Sequence, residues 1–162
     1  MERSRLRLVF SIAIAVVSTL PRADPPPEVF GKYVRGYRSC GGPGFADGEG
    51  YCGFFGEDVL EISPGLLLGD PSPDSVYVSF GAHFDPREAH LCAYSGHGTW
   101  TRRGIVLNDA DGPLRIERTN PACRLTLVPS KDGMRISDAG NKCRASLCSG
   151  PDKVDGLFYR RK

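Results

Sequence analysis

The sequence predicts an all-β domain: a small antiparallel meander, closed or nearly closed into a barrel or folded as a compact sandwich, and stapled by disulfides. Three observations predict it. Short segments repeatedly alternate apolar and polar residues with the period of a half-buried strand. Turn dipeptides such as Pro64-Gly65, Asp111-Gly112, Asp132-Gly133 and Asp155-Gly156 punctuate them. Six cysteines, Cys40, Cys52, Cys92, Cys123, Cys143 and Cys148, all follow a single apolar run near the start of the chain.

That run, Leu8 to Leu20, is preceded by Arg3, Arg5 and Arg7. A basic segment followed by a short apolar one is the pattern of a secretory signal peptide, here expected to span residues 1–23 with cleavage after Ala23. The run is shorter than the roughly 20 residues that a membrane-spanning helix requires. The first cysteine is Cys40, too far downstream for a lipidated amino terminus. An even cysteine count in an exported chain predicts disulfides rather than metal or redox chemistry. The expected location is therefore secreted or periplasmic, in a bacterial envelope. Residues 24–28, Asp-Pro-Pro-Pro-Glu, form a stiff extended linker. Residues 29–162 fit one domain large enough to bury a core.

The full chain holds 21 basic and 19 acidic residues; without Arg3, Arg5, Arg7, Arg22 and Glu2, 17 and 18 remain. A near-neutral surface supplies no long-range field for nucleic acid or anionic membrane. The basic end Arg160-Arg161-Lys162 reads as a solvated terminus, and a monomer is expected.

In chain order, Val29 to Tyr37 is the first predicted strand. A glycine-rich loop, Ser39 to Gly56, follows, with six glycines between Gly41 and Gly53. Asp58 to Ser63 and Leu66 to Leu68 are two further strands around Pro64-Gly65. Ser75 to Phe80 alternates cleanly, Val76, Val78 and Phe80 facing one way. His90 to Ser95, Gly98 to Arg102 and Ile105 to Leu107 continue the series. Leu114 and Ile116, then Cys123, Leu125 and Leu127, then Met134 and Ile136 alternate with polar neighbours, and the last strand covers about Leu157 to Arg160. A single helical turn fits near Asn141 to Leu147. Sequence does not fix disulfide connectivity. The favoured pairing is local, Cys40–Cys52, Cys92–Cys123 and Cys143–Cys148, with exchange of Cys123 and Cys143 as the alternative.

Candidate chemistry is sparse. Ser95 and His97 stand almost adjacent in Ala93-Tyr-Ser-Gly-His-Gly98, but a hydrolase elbow needs glycine two residues before the serine and a helix after it. A glycine-rich hairpin turn is the plainer expectation. His83, Asp85, His90 and His97 have no spacing that dictates a metal site, so no metal and no cofactor are expected. Asp70, Asp74, Asp109, Asp111, Asp132, Asp152 and Asp155 read as turn residues that bond their own backbone. Trp100, Tyr94 and Phe80 are expected in the core, with a sugar or peptide groove as the alternative.

The run His90-Leu-Cys-Ala-Tyr-Ser-Gly-His-Gly98, with Cys123-Arg-Leu-Thr-Leu127, Cys143-Arg-Ala-Ser-Leu-Cys148 and Val154-Asp-Gly156, resembles small exported bacterial disulfide-bonded β-proteins, loosely those grouped with the periplasmic lysozyme inhibitors. In that family an eight-stranded barrel presents a Ser-Gly-x-x-Tyr loop whose serine contacts the catalytic carboxylates of lysozyme. Ser95-Gly96 match its start, Thr99 stands at the tyrosine position, Trp100 follows one residue later, and the family's lysine-bearing motif has no counterpart here. The resemblance implies a non-enzymatic exported binding protein, with a lysozyme-type glycosidase as partner and Ser95, Gly96, His97 and Trp100 in a rigid contact loop. The alternative is a small-ligand-binding barrel of the envelope, lined by Phe80, Tyr94, Trp100 and Leu125. An envelope hydrolase, which would need His83, Asp85, His90, His97 or Ser95 to converge, ranks last.

Overall fold

Eight strands form a closed antiparallel barrel in simple up-and-down order, each strand pairing with the next and the last with the first. The computed structural model describes residues 24–39, 54–68, 70–84, 90–108 and 122–162. The strands are β1 (Gly31–Ser39), β2 (Phe54–Pro64), β3 (Ser75–His83), β4 (Leu91–Thr101), β5 (Gly104–Asn108), β6 (Arg124–Ser130), β7 (Gly133–Ser137) and β8 (Phe158–Arg161). Closure is made by Tyr33 and Val34 of β1 opposite Arg161 and Arg160 of β8.

The period-two pattern explains the core. Val76, Val78, Phe80 and Ala82 of β3, Leu125 and Leu127 of β6, and Met134 and Ile136 of β7 are all buried, because alternate side chains of a strand share one face. An eight-stranded barrel is just wide enough for side chains to fill it or to hold one small ligand. Here Phe80, Tyr94 and Leu125 belong to one contiguous buried cluster with Trp100 packed against it. Phe80 and Tyr94 stack at 6.0 Å, and Tyr159 of β8 reaches the wall opposite to donate a hydrogen bond to the Gly81 carbonyl at 2.9 Å. The residues named as the lining of a ligand cavity are thus packed as core.

The barrel has two unlike ends. The proximal end, where β1 begins, is crossed by a 3₁₀ turn, Pro27–Val29, whose Val29 is buried and accepts a 2.8 Å hydrogen bond from the Tyr33 hydroxyl. Two-residue turns at Arg102-Arg103 and Lys131-Asp132 finish it. Gly104 closes the first with φ +122°, a conformation that L side chains rarely adopt, and any Cβ there would lie 2.1 Å from the Leu127 carbonyl oxygen. The distal end carries a strap, residues 138–154, containing the short helix α1 (Arg144–Leu147). Its buried Leu147 and Val154 join the core cluster.

Several expectations are corrected. Val29 lies in the 3₁₀ turn rather than in the first strand. Gly65–Leu68 is a 3₁₀ turn with three exposed leucines, not a strand, because Ser75 packs where a side chain on Gly65 would go. The two strands expected over His90–Ser95 and Gly98–Arg102 are one continuous strand, β4. The disulfides are Cys92–Cys148 and Cys123–Cys143, which is neither Cys92–Cys123 with Cys143–Cys148 nor the exchanged alternative. The reason lies in the strand order. Strand β5 separates β4 from β6, and the register puts Leu125 level with Gly98, so Cys92 and Cys123 are displaced along the strands as well as by two strand spacings of ~9–10 Å, beyond the reach of a disulfide. The strap instead brings a partner to each, with Cα–Cα distances of 4.0 and 4.4 Å. Cys40, Cys52, Leu114, Ile116 and the Asp111-Gly112 turn lie outside the described residues.

Candidate functional site

A carboxylate on the apolar side of a strand organises the distal rim. In β2 the buried positions are Asp58, Leu60 and Ile62, so period two turns Asp58 inward with the two aliphatic residues. Its side chain is 0% exposed. Burying an ionised carboxylate is costly unless it is paired and hydrogen-bonded, and Asp58 is both. Oδ2 accepts from Arg35 Nε at 3.0 Å and Nη2 at 2.5 Å. Oδ1 accepts the His83 backbone N–H at 3.1 Å and lies 2.6 Å from His83 Nδ1. Arg35 also donates to the His83 carbonyl at 2.7 Å and lies over the Phe84 ring at 5.3 Å. The Tyr37 ring stacks on the imidazole at 5.1 Å and 22°.

His83 is therefore held at its amide, its carbonyl, one ring nitrogen and one ring face, while its side chain stays 49% exposed. With Nδ1 directed at a carboxylate, the proton belongs on Nδ1. Nε2 is then an acceptor in the neutral ring and a donor in the cation. Beneath the cluster, burial pushes the Tyr159 phenol above its ordinary range; nearby Arg35 opposes this and Asp58 adds to it. Tyr159 is thus a neutral donor under the ion pair.

The residues singled out from sequence are placed elsewhere. Ser95, Gly96, His97 and Trp100 lie within β4 rather than in a loop. Ser95 and His97 face the outside of the barrel with Tyr77: the Tyr77 hydroxyl and Ser95 Oγ are 2.5 Å apart, and the Tyr77 and His97 rings meet edge-on at 5.4 Å. Gly96 and Trp100 have the opposite parity, Gly96 paired with Val78 and Trp100 packed on the core. The four do not share one face. His90 belongs to a third cluster, with Nδ1 2.9 Å from Asp152 Oδ2, where it ties the strap to the start of β4. The three histidines thus serve three separate clusters, Asp85 lies outside the described residues, and no group of three metal-ligating side chains exists among the described residues.

Arg35, Tyr37 and Asp58 are functional candidates that reading the sequence missed. One signal was present: a carboxylate in register with Leu60 and Ile62 on the buried side of a strand. Comparison of the chain with protein-family models, with curated proteins and with solved structures finds no match.

Proposed function

We propose that this chain is an exported, non-enzymatic binding domain that recognises its partner through the distal rim around His83. A lysozyme-type glycosidase is the most concrete partner. One observation carries the reading: a half-exposed imidazole is held at Nδ1 and on one ring face, on a backbone itself fixed at amide and carbonyl, while its Nε2 is left without a hydrogen bond among the described residues. A group whose orientation is fixed before docking loses little entropy on binding. A glycosidase cleft offers two carboxylates flanking the scissile bond, and the imidazolium form of a ring backed by its own carboxylate donates a hydrogen bond from Nε2 to one of them. Recognition residues carried on a rigid scaffold's rim are a common arrangement. Compared with the serine loop of the resembling family, the site moves from Ser95, whose hydroxyl already faces Tyr77, to His83.

The test is a lysis assay with oxidised protein and lysozymes of several types acting on peptidoglycan. Dose-dependent inhibition that His83→Ala removes and Ser95→Ala leaves intact is the expected result. Inhibition lost with Ser95→Ala and kept with His83→Ala would move the site back to β4. Absence of inhibition of every lysozyme type would sink the glycosidase partner. The same Asp58–His83 pair favours one second reading, since a carboxylate-oriented imidazole with a free Nε2 is also the geometry of a general base. Turnover of nitrophenyl esters that His83→Ala abolishes would select it.

A further inference from the structure

We propose that the proximal end of the barrel docks reversibly on a phospholipid bilayer, with Leu66, Leu67 and Leu68 in the interface and Arg102 and Arg103 at the headgroup phosphates. The three leucines are 68%, 74% and 53% exposed, the longest run of adjacent exposed large apolar side chains among the described residues. A single exposed leucine is ordinary on a protein surface, but a contiguous apolar patch marks an interaction site. The 3₁₀ turn Gly65–Leu68 holds them out. Gly65 is buried against Ser75, and the Asp70 N–H donates to the Gly65 carbonyl at 3.2 Å. Asp70 accepts the Ser72 N–H at 3.0 Å, and the Trp100 N–H donates to the Asp74 carbonyl at 2.8 Å, which ties the loop to β4. Pro64, Pro71 and Pro73 fix φ on both sides of the turn. The leucines are therefore projected by a fixed loop.

The shape of the tip selects its occupant. Successive residues of a 3₁₀ turn point about 120° apart, so three exposed leucines in a row cover every side of the turn. A protein partner would bury such a tip only in a deep matching pocket, whereas a bilayer interface surrounds it with acyl chain whatever its shape. The apolar run Leu8–Leu20 joins the domain at this same end, through the turn Pro27–Val29. The seven residues from Leu20 to Pro27 span at most about 25 Å, so a bilayer that holds that run meets the proximal end first.

The arginines stand beside the leucines. Ser75, on which Gly65 packs, lies opposite Thr99, and β4 reaches the Arg102-Arg103 turn just beyond it. Both arginines are exposed. The acids of this end are Asp24, Glu28, Asp70 and Asp132, and none forms an ion pair with either arginine among the described residues. An arginine stem lies along apolar surface while its head reaches the interface, where the guanidinium fork matches a phosphate. The chain as a whole is near neutral, so no long-range field draws it to an anionic membrane. Apolar contact carries most of the affinity, and the docking is weak and reversible. With the proximal end down, the His83 rim at the other end faces away from the bilayer.

Residues 24–162 hold all eight strands and both described disulfides, so the oxidised protein without residues 1–23 is the form to test. It is expected to float with vesicles of phosphatidylethanolamine and phosphatidylglycerol at about 150 mM NaCl. Leu66→Ser/Leu67→Ser/Leu68→Ser should weaken binding at least about tenfold and leave thermal unfolding unchanged, because the side chains it removes are exposed. Leu67→Ser alone, at the most exposed of the three, should weaken it severalfold and guards against misfolding of the triple variant. Arg102→Gln/Arg103→Gln should also weaken it severalfold. Leu91→Ser, at the distal start of β4, should leave it unchanged. Absence of flotation, flotation unchanged by the leucine variants, or equal loss with Leu91→Ser would overturn the proposal. Self-association in sedimentation that the triple variant abolishes, without flotation, would instead assign the tip to a second copy of the chain.

Discussion

Replacing Asp58 by asparagine tests the distal cluster with almost no change of shape. The side chain is fully buried and accepts from Arg35 Nε and Nη2, from the His83 amide and from the His83 ring. Asparagine keeps one acceptor oxygen but presents an NH₂ to groups that are themselves donors, so two contacts become donor against donor. Hydrogen bonds to a charged group are each worth about 1.5–3 kcal/mol. Arg35 is 18% exposed and His83 49%, so the histidine's share is discounted for solvent and the arginine's is not. Removing one partner of a buried pair costs about 3–5 kcal/mol, and the lower half of that range is expected here. At about 2–4 °C per kcal/mol, Tm should fall by roughly 10 °C. Urea unfolding followed by tryptophan fluorescence and far-ultraviolet circular dichroism measures the loss. The double replacement Arg35→Met/Asp58→Leu should recover most of it, since apolar residues of similar volume often replace a buried ion pair without penalty. A loss below about 1 kcal/mol for Asp58→Asn would refute the claim that this carboxylate holds the rim together.

The disulfides give a second prediction. Digestion without reduction should release Cys92 linked to Cys148 and Cys123 linked to Cys143, and removing them as alanine pairs should cost about 4 and 3 kcal/mol, from loops of 56 and 20 residues; a Cys143–Cys148 peptide would contradict the fold of the strap. Burial holds the Tyr159 phenol above its ordinary value of 10.0, so above that pH the unfolded chain releases a proton that the folded chain keeps. Stability from Tyr159 is therefore complete below pH 10.0 and falls as pH rises above it, by up to about 1.4 kcal/mol per unit. Urea midpoints between roughly pH 9 and 11.5 should fall less steeply in Tyr159→Phe than in the wild type, and equal slopes would count against the burial argument. Finally, a Cβ at Gly98 would lie 2.4 Å from Leu107 Cδ2 and 2.8 Å from Ile105 Cγ2. Gly98→Ala should cost about 1–3 kcal/mol in thermal unfolding, and a neutral effect would mean that β4 and β5 pack less closely there.

The barrel was legible because its strands obey a local rule. Val76, Val78 and Phe80, Leu125 and Leu127, and Met134 and Ile136 declare one face each, and up-and-down closure satisfies every such face at once. The short helix was legible for the same reason, being a local segment between two turns. What period two does not carry is partnership between strands. Asp58 meets a histidine 25 residues away and an arginine 23 residues away, and no pattern within either strand points to the other. The cysteines failed in the same way: proximity in sequence favoured Cys143–Cys148, whereas strand order placed β5 between Cys92 and Cys123 and left the strap to supply both partners.

The error at Ser95–Gly98 has the most consequence for function, and it turns on what glycine means in a strand. Glycine punctuates turns, and it also stands where another chain approaches too closely for a side chain. Gly96 and Gly98 lie opposite Val78 and Val76 in unbroken pairing, and Gly98 is crowded by Leu107 and Ile105. Gly98 therefore makes room inside the barrel, and neither glycine bends the chain. A serine presented from such a strand cannot enter a cleft as one at a loop tip can, and its hydroxyl is already beside that of Tyr77. The distal rim has the opposite character: at the last residue of β3 the strand ends, and the His83 ring projects half exposed while Asp58, Arg35 and Tyr37 hold it still. A docking group needs both projection and immobility, and of Ser95 and His83 only the histidine combines them.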